Sequence, residues 1–451
     1  MSGAPLRVNS LGGGTSSSLD SRTQAYIAIS SVRCPTTVRW ALVIFVSTLP
    51  FDHLGWAFMD GSLSIAKLAG FLFFGFYFLH HGSPFGKRSL PRIPAAMWWF
   101  LIFLAVYTLN WALLGSAEFR DEFVSSLFQL VQLIVMLWIC SDLLKDERTA
   151  RSVLLAYTIA AALFALAIVL KVPGFYVEGA EGRVSGMGEN PNAVAGNSAM
   201  AIIIILGLFL YRPYRYTSRR KLFLISLSLP LFATIVMSGA RGAVVAFLMG
   251  GMVYLFPYRR SKRVLTAIFI VTLAISAVFY FVATNPDFLE RWNRTYYEGS
   301  LEGREDIFPA AAETILERPI LGWQPVDYYY ELGRRIGGEY FSRGRDAHNL
   351  FLTVLLQVGV IGAIPFLVGF WLCGQSAWRA RLGNLGLLPL ALLAYDLVGS
   401  MNGTSLFVKS HWLILALTLA AAPTVRGELG KRLPVLLVNR PSKAGEKLLD
   451  K

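Results

Sequence analysis

The chain has 451 residues, 55% of them hydrophobic and only 16% charged, with a mean hydropathy of +0.53. So much apolar sequence exceeds what a soluble core needs and predicts a polytopic membrane protein. The formal net charge of +14 is then expected in membrane-flanking loops, which makes nucleic acid a poor partner, and the scattered Cys34, Cys140 and Cys373, without CxxC spacing or a nearby His, predict neither a disulfide framework nor a zinc site.

The first 25 residues are rich in Gly and Ser and lack an apolar core. They predict a disordered tail, taken as 1–37, rather than a cleavable signal peptide, so insertion is assigned to the first spanning helix. Apolar runs of about 20 residues mark membrane helices. They predict an all-α protein with about twelve spans, at 38–58, 63–80, 93–114, 123–141, 153–172, 193–211, 222–237, 242–256, 264–283, 349–373, 385–400 and 406–422. Pro50, Asp52 and His53 interrupt the first and are expected at its outer end.

Cations set the orientation. Lys87, Arg88 and Arg92 follow the second span, Lys145, Arg148 and Arg151 the fourth, and Arg212, Arg215, Arg219, Arg220 and Lys221 the sixth. Arg259, Arg260, Lys262 and Arg263 follow the eighth, Arg379 and Arg381 the tenth, and Lys431, Arg432, Arg440 and Lys443 lie in the tail 425–451. All fall on one side of a twelve-span protein, which places both termini in the cytoplasm by the positive-inside tendency. The other side receives acidic residues around Glu118 and Glu178, a tight turn at Ser238 to Arg241, and a long loop, 285–347, between the ninth and tenth spans. That loop carries Arg291, Arg294, Arg304, Arg318, Arg334, Arg335, Arg343 and Arg345, against the usual trend. An anionic ligand on the outer face supplies one reason for them.

Three positions there carry chemical interest. In MSGARGAVV, Arg241 sits at the membrane boundary between Gly239 and Gly242, which permit a sharp turn and close backbone approach. Its guanidinium offers a fork of donors suited to phosphate oxygens; snorkelling to headgroups is the plainer alternative. Arg304, in GREDIF, precedes an apolar-patterned segment, 307–316, expected as an amphipathic helix on the membrane surface and ended by ERPILGW; pairing with Glu305 or Asp306 is the alternative for this arginine. His348 follows Arg343, Arg345 and Asp346 and is expected in the first turn of the tenth span, placed as a catalytic base at the water edge or as an interfacial anchor. GENPNAVAGN, 188–197, is read as a helix cap or cavity lining. Trp323 and Tyr328 to Tyr330 are candidates for stacking on sugars or for the interfacial aromatic belt.

SGARG, GREDIFPAAAETILERPILGW and HNLFLTVLLQVGVIG, in this order, resemble the O-antigen ligase and polymerase superfamily. The resemblance covers about 193–373, leaving 38–192 as five variable N-terminal spans and 374–424 as C-terminal ones. It implies transfer of a glycan from an undecaprenyl-diphosphate carrier on the periplasmic face of the bacterial inner membrane, with inversion and with no cofactor or metal. The acceptor is the lipid A core in ligases, the leading expectation, and another lipid-linked repeat unit in polymerases. Carried over by position, Arg241 and Arg304 hold the donor diphosphate and His348 activates the acceptor hydroxyl; Arg343 and Arg345, cations of the same long loop, are expected as further substrate-binding residues. Members often carry Glu where this chain has Gln357, to which no role is given. Two other classes are a transporter or flippase, expected to show internal repeats and broken helices near the midplane, and a docking subunit of an export assembly.

Overall fold

The computed structural model describes residues 34–52, 64–82, 92–179, 183–211, 217–256 and 304–421, with isolated positions between 272 and 297. These residues form α1 (Thr36–Thr48), α2 (Ile65–Gly82), α3 (Ala95–Leu114), α4 (Arg120–Leu143) and α5 (Glu147–Val169). A two-stranded antiparallel ribbon follows, β1 (Tyr176–Glu178) with β2 (Val184–Gly186), then α6 (Pro191–Tyr211), α7 (Ser218–Ser238) and α8 (Arg241–Met252). Beyond residue 303 come α9 (Arg304–Glu317), α10 (Asp327–Ile336), α11 (Tyr340–Arg343), α12 (Leu350–Ala380), α13 (Leu388–Ser400) and α14 (Lys409–Ala421).

Among the described residues, six helical segments, Ala95–Leu114, Ala117–Leu143, Glu147–Val169, Pro191–Tyr211, Lys221–Ser238 and Leu350–Ala380, are long and apolar enough to cross a membrane, and several more are apolar but shorter. The protein is a multi-pass membrane protein by this composition. Eleven predicted spans fall on these helices; most of the ninth, 264–283, and both terminal tails lie outside the described residues. α1 stops at Thr48 because Pro50 enters a 3-10 turn over Leu49–Phe51. The core is aromatic where α12 lies along α3: Phe100 and Phe103 meet Phe366, and Phe100 meets Trp412 of α14. α8 runs beside α13, an arrangement that brings both ends of the site together.

α12 is broken within its apolar length. Gly359 adopts φ 57° and ψ −164°, a conformation open essentially to glycine alone. The backbone groups freed by the break are taken up by the segment after α9. Leu356 O accepts from Trp323 N at 2.7 Å, Val360 N donates to Pro319 O at 2.9 Å, and Ile361 N donates to Ile320 O at 3.3 Å. Asn110 of α3 bridges the joint, donating through Nδ2 to Leu321 O and to Gln357 O. Irregular backbone at membrane depth is tolerated when protein encloses it and satisfies it, and Gly359 is buried. ERPILGW and LLQVGVIG are thus two halves of one joint, which ties α9 to α12.

The surface-helix expectation for 307–316 is corrected here. Ile307, Ala310, Ala311 and Thr314 line one buried face of α9 at helical spacing. Ile307, Ala310 and Ala311 pack into a small satellite core with Tyr328, Leu332, Ala347 and Leu356 rather than onto lipid. The apolar stripe found its partner in α10 and α12, which the local pattern could not reveal.

Candidate active site

α7 ends at Ser238 and α8 begins at Arg241, leaving two residues to reverse the chain. Gly239 makes the reversal with φ 61°. Gly242 serves a different need: a β-carbon there would lie 2.8 Å from Cγ of Asn402. Asn402, in the link between α13 and α14, thus rests directly on the α8 backbone. Its Oδ1 accepts from Arg304 Nη1 and its backbone carbonyl from Arg304 Nη2, each at 3.1 Å. Its Nδ2 donates to Val398 O at 3.0 Å, which fixes which end of the amide faces the guanidinium. Arg183, from the ribbon, supports the turn by donating through Nε to Ser238 O at 3.2 Å and through Nη2 to Asn192 Oδ1 at 2.9 Å. Burial, and then the like charges of Arg241 and Arg183, lower the Arg304 pKa. Three guanidiniums concentrated this way define an anion-seeking region.

His348 does not lie in the first turn of α12 as expected. Asn349 is the N-cap, its Oδ1 accepting from Phe351 N at 3.0 Å and Leu352 N at 3.2 Å, and His348 precedes it with φ 49°. A left-handed conformation at a histidine is strained and is held only by its surroundings. Its Nδ1 lies 3.5 Å from Asp346 Oδ2. Asp346 accepts from Thr404 Oγ1 at 2.9 Å and 2.7 Å on its two oxygens, and its Oδ1 faces the Tyr328 hydroxyl at 3.5 Å. Burial holds the His348 pKa below its ordinary value; Asp346 pulls the other way, and the charges of Arg345 and Arg304 add to the lowering. Burial is the leading cause.

Arg241, Arg304, Asp346, His348, Asn402 and Thr404 all line one cavity of about 540 Å³. Its wall also includes the ion pair of Asp52 with Lys409, and Asp396 and His411, whose Oδ2 and Nδ1 lie 2.8 Å apart in a hydrogen bond. Glu189 lines it too, its carboxyl pushed up to about 8 by burial and then by Asp52. The 188–197 segment does both things weighed for it: Asn190 Oδ1 accepts from Asn192 N at 2.9 Å, and Asn190, Asn192, Gly196 and Asn197 face the cavity.

Other cations of the 285–347 segment are used elsewhere. Arg318 and Arg335 lie over the Trp323 ring at 4.0 Å and 5.6 Å, and Arg335 also pairs with Glu317 and Glu331. Arg345 covers Tyr340 at 4.5 Å, and Arg343 is exposed on α11; neither lines the cavity. Trp323 and Tyr330 are likewise occupied, Tyr330 stacking on Phe119 at 4.7 Å. Sequence reading missed Asn402, Thr404, Arg183 and His411. The available signal was NGTS, a polar cluster set between two apolar spans.

These features define a helical membrane protein with a cation-bearing cavity at its helix ends and a histidine beside a carboxylate in the wall. Residues 225–367 match the family model Wzy_C, described as O-antigen ligase, so the chain carries an O-antigen ligase domain over that stretch. This domain implies a glycan-transferring enzyme of bacterial membranes, with lipid-linked glycans as substrates. The matched residues run from within α7 to within α12 and contain Arg241, Arg304 and His348, whereas α13, α14 and Asn402 lie beyond them. No curated protein matches the chain.

Proposed function

We propose that the cavity transfers a glycan from an undecaprenyl-diphosphate carrier to an acceptor hydroxyl on the periplasmic face of the inner membrane, with lipid A core as the acceptor. The observation that carries this reading is the convergence of Arg241, Arg304 and His348 on one cavity, from three elements far apart in sequence. Arg241 and Arg304 hold the diphosphate and meet the negative charge that builds on it as the glycosidic bond breaks. The acceptor oxygen attacks the anomeric carbon from the opposite face, the bond to the diphosphate oxygen breaks, and the configuration inverts. His348 Nε2 takes the hydroxyl proton while Nδ1 faces Asp346, which orients the ring and steadies the imidazolium as it forms. A lowered imidazole pKa keeps the base form available at neutral pH.

A twelve-span topology with both termini cytoplasmic puts the cavity on the side that this chemistry requires. Broken α12 is a feature expected of transporters as well, but here the backbone groups at the break are bonded to the 319–323 segment. Deleting the gene in its host and sizing the surface glycan tests the reading. Loss of ligation leaves long chains on the lipid carrier and bare lipid A core at the surface. Surface-attached chains of normal length would contradict it, and single repeats on the core would reassign the protein as a polymerase.

A further inference from the structure

Much of what orients the candidate site lies outside the matched domain, in the link 401–408 between α13 and α14. The link reaches both halves of the site. Asn402 accepts twice from Arg304 and rests on the α8 turn beside Arg241. Thr404 donates to Asp346, and its hydroxyl also meets Thr353 of α12 at 3.3 Å. The link is itself tied down: Asn349 Nδ2 donates to Met401 O at 3.4 Å, and the Ser400 and Ser405 hydroxyls are bonded to each other at 2.5 Å.

We infer that this link is the positioning element of the site, with Asn402 setting the Arg304 fork and Thr404 setting the Asp346 carboxylate that orients His348. The inference rests on the reading of the cavity as a glycan-transfer site. Thr404 has one proton to give, and it lies across both oxygens of Asp346. Held there, the carboxylate stands 3.5 Å from Nδ1, close enough to act on the ring electrostatically and too far for a strong charged hydrogen bond. His348 thereby faces the carboxylate without a strong bond to it, and burial still holds its pKa low. The charged groups that face it are Asp346 on its own segment, Arg345 beside it and Arg304 from α9, while Tyr328 of α10 faces the carboxylate. Removing the Thr404 proton leaves the carboxylate less satisfied and free to turn toward Nδ1, which favours the protonated ring. Asn402 works in the same way on the donor side, because an amide pinned by Val398 presents only its oxygen to Arg304.

The test uses the full chain in lipid nanodiscs, as wild type, Thr404→Val, Thr404→Ala and Thr404→Ser. Valine keeps the shape and removes the donor, alanine removes both, and serine keeps the donor. The His348 titration is followed by NMR on histidine-labelled protein, with its resonance identified by its loss in His348→Gln. We expect the His348 midpoint to rise by about one pH unit in Thr404→Val and Thr404→Ala, with serine returning it to the wild-type value. Turnover near neutral pH is expected to fall about two- to threefold in those two variants, with the donor KM within about twofold, because a smaller fraction of His348 is in the base form while diphosphate binding is untouched. An unchanged midpoint in either folded variant overturns the inference, as does serine behaving like valine. The titration needs no substrate, so a wild type that moves no glycan would refute the transfer reading while the positioning claim is still decided by the midpoint.

Discussion

Gly359→Ala puts the joint between α9 and α12 under direct test. An added β-carbon would lie 2.3 Å from the Ile320 carbonyl oxygen, 2.4 Å from its carbon and 2.7 Å from Gly322 N. All three are backbone atoms, so no side chain can swing aside. The φ of 57° adds a conformational cost. A residue forced into a glycine-only conformation costs about 1–3 kcal/mol and overpacking about another 1–3 kcal/mol, so about 2–6 kcal/mol is expected, relieved only by losing the bonds to Pro319 and Ile320. Gly374→Ala is the control within the same helix: its added β-carbon meets only Leu393 Cδ2, at 3.8 Å, and alanine is the better helix former. Thermal unfolding of the two purified variants should show Gly359→Ala melting well below wild type, with α9 exposed to limited proteolysis, and Gly374→Ala at or slightly above wild type. Equal melting temperatures for the two variants would refute the reasoning that the joint is closed and tightly packed.

Gly242→Ala places a methyl 2.8 Å from Asn402 Cγ; because a side chain can yield where a backbone cannot, the expected result is a fold retained and a donor KM raised about tenfold as Asn402 leaves Arg304, checked by steady-state kinetics. Arg241→Ala should weaken binding of lipid-linked diphosphate by about 10–100-fold, measured by competition, with Arg241→Lys recovering only part because a point charge does not replace the fork. For Glu189 the raised pKa means that the fold favours the protonated carboxyl, so its contribution is full below the ordinary 4.5 and is lost as pH rises through about 8. Glu189→Gln should therefore match wild type in thermal stability near pH 4 and exceed it increasingly toward pH 8; a gain independent of pH would contradict the assignment.

The spans were legible because a run of apolar residues long enough for a bilayer has few other meanings. Arg241 could be placed because its flanking glycines leave no room for an ordinary loop, and the structure shows each of them needed for its own reason, φ at Gly239 and contact at Gly242. The break at Gly359 was not legible. A glycine within an apolar run is common in membrane helices, and only the docking of Pro319 to Trp323, some 40 residues earlier, makes this one a joint. His348 was found but placed inside α12, whereas Asn349, the one residue between it and the helix, is the cap. Asn402 and Thr404 stayed hidden because short polar side chains in a link carry no chemistry of their own; their meaning comes from Arg304 and Asp346, which the fold delivers to them. The many outer arginines had invited a single anionic explanation, whereas Arg318 and Arg335 are spent on Trp323.

The central claim is tested most directly by single-turnover transfer from a lipid-diphosphate-linked glycan to the lipid A core acceptor, using purified wild type and His348→Ala in nanodiscs with saturating donor. The wild type should transfer with inversion at the anomeric carbon, and its rate should fall on the acid side at a pH below the ordinary histidine value, as burial of His348 requires. His348→Ala should lose about two to four orders of magnitude in rate while still binding the donor, and its acid limb should disappear. A folded His348→Ala that transfers at a near-normal rate, or keeps the same acid limb, would contradict the account.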